Sequence, residues 1–235
     1  MGGLLARLLE LVEVCVISGG QFEQFRTQVV ERLPRLDDAQ ADRLHLMPTC
    51  GTQYWRERHD GQADGWTQVY AENLTDDEKQ RATAALEEQA RRLGLWETET
   101  WGPVLEDRGS QITFSALGQA APVAAKSAWD PTGERKSSLR AAVAALVPDL
   151  EVRSGGSTSV DVTRKGIDKA YGMRRLAEVT GIPLSEMLFV GDRLDPDGND
   201  YPVKALGVPT HAVSGWEETA DYLETLITDL QSARV

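Results

Sequence analysis

Met187-Leu188-Phe189-Val190-Gly191-Asp192-Arg193-Leu194-Asp195-Pro196-Asp197-Gly198-Asn199-Asp200 is an apolar run followed at once by four carboxylates within nine positions. The run reads as a buried strand, and the acidic stretch as the loop at its carboxyl end. Four crowded anions repel one another, so the loop needs a hard cation or hydrogen-bond donors to offset the repulsion. Magnesium together with a phosphate fits that requirement.

Working outward, the same grammar occurs at both ends of the chain. Near the start, a helix containing Leu4, Leu5, Leu8, Leu9 and Val12 leads into the strand Val14-Cys15-Val16-Ile17. Ser18-Gly19-Gly20 ends that strand, and the spacing of Phe22, Phe25, Val29 and Leu33 predicts a following helix. Near the end come helix 169–180, strand 187–190, a helix near Val203, strand 211–213 and a last helix from Glu217. Short apolar runs alternating with helices predict a doubly wound parallel α/β sheet, where ligands bind beyond the carboxyl ends of strands. The middle differs. Helix 75–93, opened by the capping box Thr75-Asp76-Asp77-Glu78, is followed by strand 111–115, helix 134–146 and strands near 151–153 and 157–162. That order predicts an inserted α+β layer with an antiparallel sheet. The expected organisation is core 1–71, cap 72–164 and core 165–235.

Composition is compatible. The 235 residues are 41% hydrophobic and carry a formal charge of −12, with no basic stripe, which argues against nucleic acid as partner. Two cysteines argue against a disulfide scaffold and suit a reducing cytoplasm. Arg7, Glu10 and Glu13 interrupt the apolar start, so no signal peptide or membrane span is expected.

Phosphoryl transfer requires a nucleophile, a cation for the phosphate oxygens and fixed donors. Asp192 is the candidate metal ligand, with Asp200 in the same loop. Ser18, Gly19 and Gly20 offer a hydroxyl and unhindered N–H groups to phosphate, and Lys169 offers a fixed positive charge. Competing motifs fail. A calcium loop starting at Asp195 would need Gly and Glu where Asp200 and Leu206 stand. Gly133-Glu134-Arg135-Lys136-Ser137 lacks the glycine directly before lysine that a phosphate loop requires, and His45, His59 and His211 show no zinc spacing.

The stretches Ile17-Ser-Gly-Gly-Gln-Phe-Glu-Gln, Arg108-Gly-Ser-Gln-Ile-Thr-Phe-Ser, Gly155-Gly-Ser-Thr-Ser-Val-Asp-Val, Gly166-Ile-Asp-Lys and Phe189-Val-Gly-Asp through Gly198-Asn-Asp together resemble the haloacid dehalogenase superfamily. The resemblance is to subfamily IIB, the branch with a large α/β cap that includes the phosphomannomutases. It implies magnesium-dependent phosphoryl transfer on a sugar phosphate through an aspartyl-phosphate. It further implies a small-molecule partner, with a homodimer through the cap allowed. By the resemblance, Asp192 and Asp200 bind magnesium, Lys169 balances charge on nucleophile and phosphate, and Ser18 holds phosphate by its hydroxyl. Arg108, Ser159 and Asp161 match sugar-phosphate contacts. Gln119 and Lys126 stand where phosphomannomutases use arginines, and losing two bidentate forks favours a phosphatase over a mutase.

One motif of the family has no match here, the nucleophile strand ending in Asp-x-Asp-Gly-Thr. The expectation is that this chain alone is inactive. It is also that the strands ending at Ile17 and Val190 stand about one strand position apart, roughly 10 Å instead of about 4.8 Å. A non-catalytic domain that binds a sugar phosphate or a partner is the alternative.

Overall fold

The computed structural model describes residues 1–58 and 65–233, so His59 lies outside the described residues. The chain divides into two compact units, one of residues 1–71 with 168–235 and the other of residues 72–167.

In the first unit, α1 (Gly2–Leu9) turns its leucines onto the final helix α9 (Trp216–Ser232), where Leu8, Leu223 and Ile227 are buried together. Arg7 and Glu224 close that contact at 3.0 Å. Strand β1 (Val14–Ile17) is followed by α2 (Phe22–Gln28), which is shorter than its apolar spacing predicts. The helix breaks at Val29, and a 3-10 turn, Val30–Arg32, replaces its last turn. Leu33 is extended there (φ −75°, ψ 143°), as the ring of Pro34 demands of its predecessor.

Beyond α3 (Asp38–Ala41), strand β2 (Leu44–Met47) pairs in parallel with β1, and β3 (Gln53–Arg58) and β4 (Gly65–Ala71) continue the sheet antiparallel, in the order β1-β2-β3-β4. The sequence pattern did not reveal these last three strands, and two of the three pairings in this sheet are antiparallel. Their side chains explain the miss. Gln53, Arg56, Glu57 and Arg58 leave β3 little apolar alternation; its Tyr54 meets Tyr70 of β4 at 5.7 Å between ring centroids, and Phe22 of α2 stacks on its Trp55 at 3.8 Å.

The later half of this unit holds α7 (Lys169–Thr180), β9 (Phe189–Gly191), α8 (Tyr201–Ala205) and β10 (Thr210–Ala212), with β9 and β10 parallel. β9 starts two residues later than the apolar run because Leu184–Glu186 forms a 3-10 turn and the Met187 N–H returns to the Leu184 carbonyl. Among the described residues β1 ladders only with β2, and β9 only with β10. Ile17 nonetheless packs in the same apolar cluster as Phe189, Met173 and Val203.

The second unit is an antiparallel sheet in the order β5-β6-β8-β7, made of β5 (Leu105–Asp107), β6 (Gln111–Ser115), β7 (Leu150–Ser154) and β8 (Ser159–Arg164). Helices α4 (Asp76–Arg92) and α6 (Glu134–Leu146) cover one face; α5 (Val123–Trp129) lies between β6 and α6 in sequence. Ile112, Phe114, Val152, Val160 and Val162 alternate along three strands and bury against Leu86, Leu139 and Val143. The Thr75–Glu78 capping box forms as the sequence predicts. Glu78 also meets Arg164, which with the Thr75 N–H pulls its pKa down to about 2.

A buried titratable cluster sits at the amino ends of β1 and β2. His45, 3% exposed, takes a hydrogen bond at Nδ1 from the Tyr54 hydroxyl (2.7 Å) and donates from Nε2 to Glu13 (3.0 Å). A carboxylate only accepts, so these partners fix the neutral ring with its proton on Nε2. Burial, helped by nearby Arg56 and opposed by Glu13, holds the His45 pKa below its ordinary 6.5. The unfolded chain therefore binds this proton more readily, and stability contributed by neutral His45 is complete above pH 6.5 and lost as pH falls below it. Urea unfolding between pH 7.5 and 5.5 is expected to show a loss of up to about 1.4 kcal/mol per pH unit that His45→Gln removes. An identical slope in that variant refutes the assignment.

Candidate functional site

The first unit gathers three strand-end loops around α7. At the end of β1, the Ser18 N–H donates to the Met47 carbonyl (3.3 Å) and the Ser18 carbonyl accepts from the Cys50 N–H (2.9 Å). The Gly20 N–H donates to the Ser18 hydroxyl at 3.2 Å, and the Gly20 carbonyl accepts from the Thr49 N–H at 2.9 Å. The loops after β1 and β2 are therefore laced together by backbone bonds. Thr49 and Cys50 adopt left-handed backbone (φ 49° and 57°), an uncommon state for non-glycine residues, held in place by this lacing and by the Thr49–Thr52 hydroxyl pair at 2.7 Å.

Gly172, one turn into α7, lets that loop and the helix touch. A side chain there would overlap Ile17 and lie 2.7 Å from the Cys50 carbonyl, and one on Gly51 would lie 2.5 Å from Gly172 Cα. Asp168 caps the helix by accepting the Tyr171 N–H at 2.9 Å, which sets Lys169 at its first turn.

Lys169 forms an ion pair with Asp200, whose side chain is 1% exposed. Asp200 Oδ2 also accepts the Arg193 N–H at 3.1 Å, and the Asp200 N–H returns to the Arg193 carbonyl at 3.1 Å, folding the acidic loop back on itself. Gly191 makes room, since a Cβ there would lie 2.5 Å from Asp200 Oδ2. Asp195 is taken up by Arg193 (3.1 Å) and the Asp197 N–H (3.2 Å), and the Arg193 guanidinium holds its pKa down.

The four carboxylates are thus divided among donors. Asp195 belongs to Arg193, Asp200 to Lys169, and Asp192 and Asp197 face solvent. Among the described residues no three His, Cys, Asp or Glu side chains are placed to share a metal. Asp192 and Asp200 are hard oxygen donors of the kind magnesium takes, and magnesium keeps several waters when held by one or two carboxylates.

The remaining candidates lie in the second unit, on the polar face of its sheet. Pairing puts Glu106, Thr113, Asp161 and Arg153 on one rung across four strands, and Ser115 opposite Ser159. The Thr113 hydroxyl donates to Asp161 Oδ1 at 2.8 Å; Arg108 donates to Glu106 through Nε (3.0 Å) and Nη2 (2.6 Å). Gln119 donates to the Ser115 hydroxyl at 3.2 Å, and the Lys126 ammonium donates to the Gln119 carbonyl at 2.7 Å. Arg108, Asp161 and Ser159 are therefore brought to one region with Gln119 and Lys126. Sequence reasoning missed Glu106, Thr113 and Ser115 as members. Alternation of polar Gln111, Thr113 and Ser115 with apolar Ile112 and Phe114 was the available signal.

A model of haloacid dehalogenase-like hydrolases matches residues 122–202, a span that includes Lys169, Asp192 and Asp200. Over that span the chain is similar to haloacid dehalogenase-like hydrolases. No curated protein matches this chain in sequence. Its fold is similar to that of a haloacid dehalogenase-like hydrolase from Bacteroides thetaiotaomicron (TM-score 0.58, 14% identity, 95% of this chain and 90% of that one). A trehalose-6-phosphate phosphatase related protein is similar too (TM-score 0.53, 15% identity, 99% and 87%). The Plasmodium falciparum IMP-nucleotidase matches with TM-score 0.68 and 13% identity over 95% of this chain, which spans 55% of that chain.

Two outcomes test this geometry. Gly172→Ala, which forces Ile17 and the Cys50 loop apart, is expected to lower unfolding stability by about 1–3 kcal/mol, measured in denaturant. Lys169→Met leaves Asp200 buried without its counter-charge and should cost about 3–5 kcal/mol, with Asp200→Asn in the same chain recovering much of it. Additive losses in that double variant would show that the two side chains are not coupled.

Proposed function

We propose that this chain carries the phosphate-handling and sugar-recognising parts of a magnesium-dependent phosphosugar phosphatase working in the cytoplasm. The observation that carries the reading is the Lys169–Asp200 pair at the carboxyl end of β9, joined through α7 and Gly172 to the Ser18 loop at the end of β1. Strand ends in a parallel α/β sheet are where such ligands bind. Lys169 supplies fixed charge for phosphate oxygens, while the Ser18 hydroxyl and the N–H groups of Gly19 and Gly20 orient them. Asp192 and Asp200 would hold magnesium, which neutralises phosphate charge when bound. The hydrolase family match and the fold likeness to a trehalose-6-phosphate phosphatase related protein support the choice of a sugar phosphate.

The nucleophilic carboxylate, in this reading, comes from an Asp-x-Asp strand inserted between β1 and β9. The support is their lack of a common ladder while Ile17 and Phe189 share one apolar cluster. This chain by itself is then catalytically incompetent. Incubated with magnesium and mannose or glucose 6-phosphate, it should bind the ester and release no phosphate. A protein that also includes such a strand should release phosphate and become labelled as an aspartyl-phosphate. Turnover by the present chain sinks the incompetence; absence of turnover and label in the extended protein favours a non-catalytic sugar-phosphate binder.

A further inference from the structure

The turn that follows β2 is held from two sides. Thr49, Cys50 and Gly51 adopt left-handed backbone in succession (φ 49°, 57° and 86°), a run that residues with side chains rarely sustain. On one side the Thr49 and Cys50 N–H groups donate to the Gly20 and Ser18 carbonyls, each at 2.9 Å. On the other, the Tyr70 hydroxyl of β4 donates to the carbonyl of buried Gly51 at 2.8 Å. Gly51 also presses on Gly172 of α7, where a Cβ on either glycine would collide. Three residues further along α7, on the same helix face, Arg175 sets its guanidinium over the Tyr70 ring, 4.7 Å from the centroid. Tyr70 therefore touches both the turn and the helix that begins with Lys169.

We propose that Tyr70 is a positioning residue for the phosphate loop. Its hydroxyl fixes the turn after β2, the turn fixes the Ser18 carbonyl, and the affinity of residues 18–20 for a phosphate ester depends on that chain of bonds. The inference rests on the phosphate-handling reading above and extends it to a residue some fifty positions away.

Left-handed residues persist only where their surroundings over-determine them. Without the hydroxyl, the Gly51 carbonyl is buried and has lost its donor, a cost the turn relieves by rotating toward ordinary backbone angles. That rotation carries the Cys50 N–H away from the Ser18 carbonyl. The Ser18 hydroxyl and the Gly19 and Gly20 N–H groups are then no longer preset, and a phosphate must pay to order them. Tyr70 acts through the backbone in this scheme and touches no ligand.

Calorimetric titration of the full chain by glucose 6-phosphate, with magnesium, tests the assignment. Tyr70→Phe is expected to bind about three- to tenfold more weakly than the unaltered chain. Tyr54 supplies the comparison, because it stands opposite Tyr70 in the β3–β4 ladder and its hydroxyl goes to His45. Tyr54→Phe should keep its affinity even where it unfolds at lower urea concentration. Equal affinity in folded Tyr70→Phe overturns the inference, as does equal weakening in both variants, and either result leaves the phosphate-handling reading standing. No binding by the unaltered chain overturns that reading, and this inference with it. Amide NMR of the unaltered chain needs no variant, so misfolding of Tyr70→Phe does not remove the test. Glucose 6-phosphate should shift the Gly51 and Tyr70 amides together with those of Gly19 and Gly20, and shifts confined to residues 18–20 overturn the inference.

Discussion

The buried ion pair between Lys169 and Asp200 is the constraint around which the candidate site is arranged. A carboxylate 1% exposed is tolerable only beside a cation and hydrogen-bond donors. That demand fixes where α7 begins, how the loop after β9 folds back and why Gly191 carries no side chain. The Arg193 N–H completes the set by donating to the same carboxylate. Because α7 is held at this end by Lys169, its next turn presents Gly172 to the loops after β1 and β2. One charge pair and one glycine thus connect residues 17–20, 49–51, 169–172 and 191–200.

The acidic loop changes meaning under this arrangement. Repulsion among its four carboxylates is relieved by neighbouring donors as much as by any cation, since Arg193 neutralises Asp195 and Lys169 neutralises Asp200. Asp192 remains at the strand end, exposed to solvent. The cap sheet follows the same logic. Its polar face balances Arg108 against Glu106 and Asp161.

Much of the fold could be read from the chain. The Val14–Ile17 and 187–190 runs, the Thr75 capping box and the strands read at 111–115 and 157–162 were visible because burial on one or both faces imposes a periodicity. β2, β3 and β4 were not. Charged and aromatic residues interrupt the pattern of β3 and β4, which meet through cross-strand rings such as Tyr54 and Tyr70, while β2 is a four-residue apolar run too short for periodicity to tell strand from helix. Helix α2 was overestimated because apolar spacing continued past the point where Pro34 forces extended backbone.

Sequence alone supplied the candidate residues Ser18, Lys169, Asp192 and Asp200 and the strand-then-loop context in which they stand. It also determined the family resemblance. Tertiary structure alone decided how the charges are apportioned, because an ion pair between distant chain positions or a rung across four strands depends on distance in space. It likewise decided that Glu106 faces Arg108, and that among the described residues β1 and β9 occupy separate ladders. Pairing, unlike periodicity, leaves no local trace in the chain.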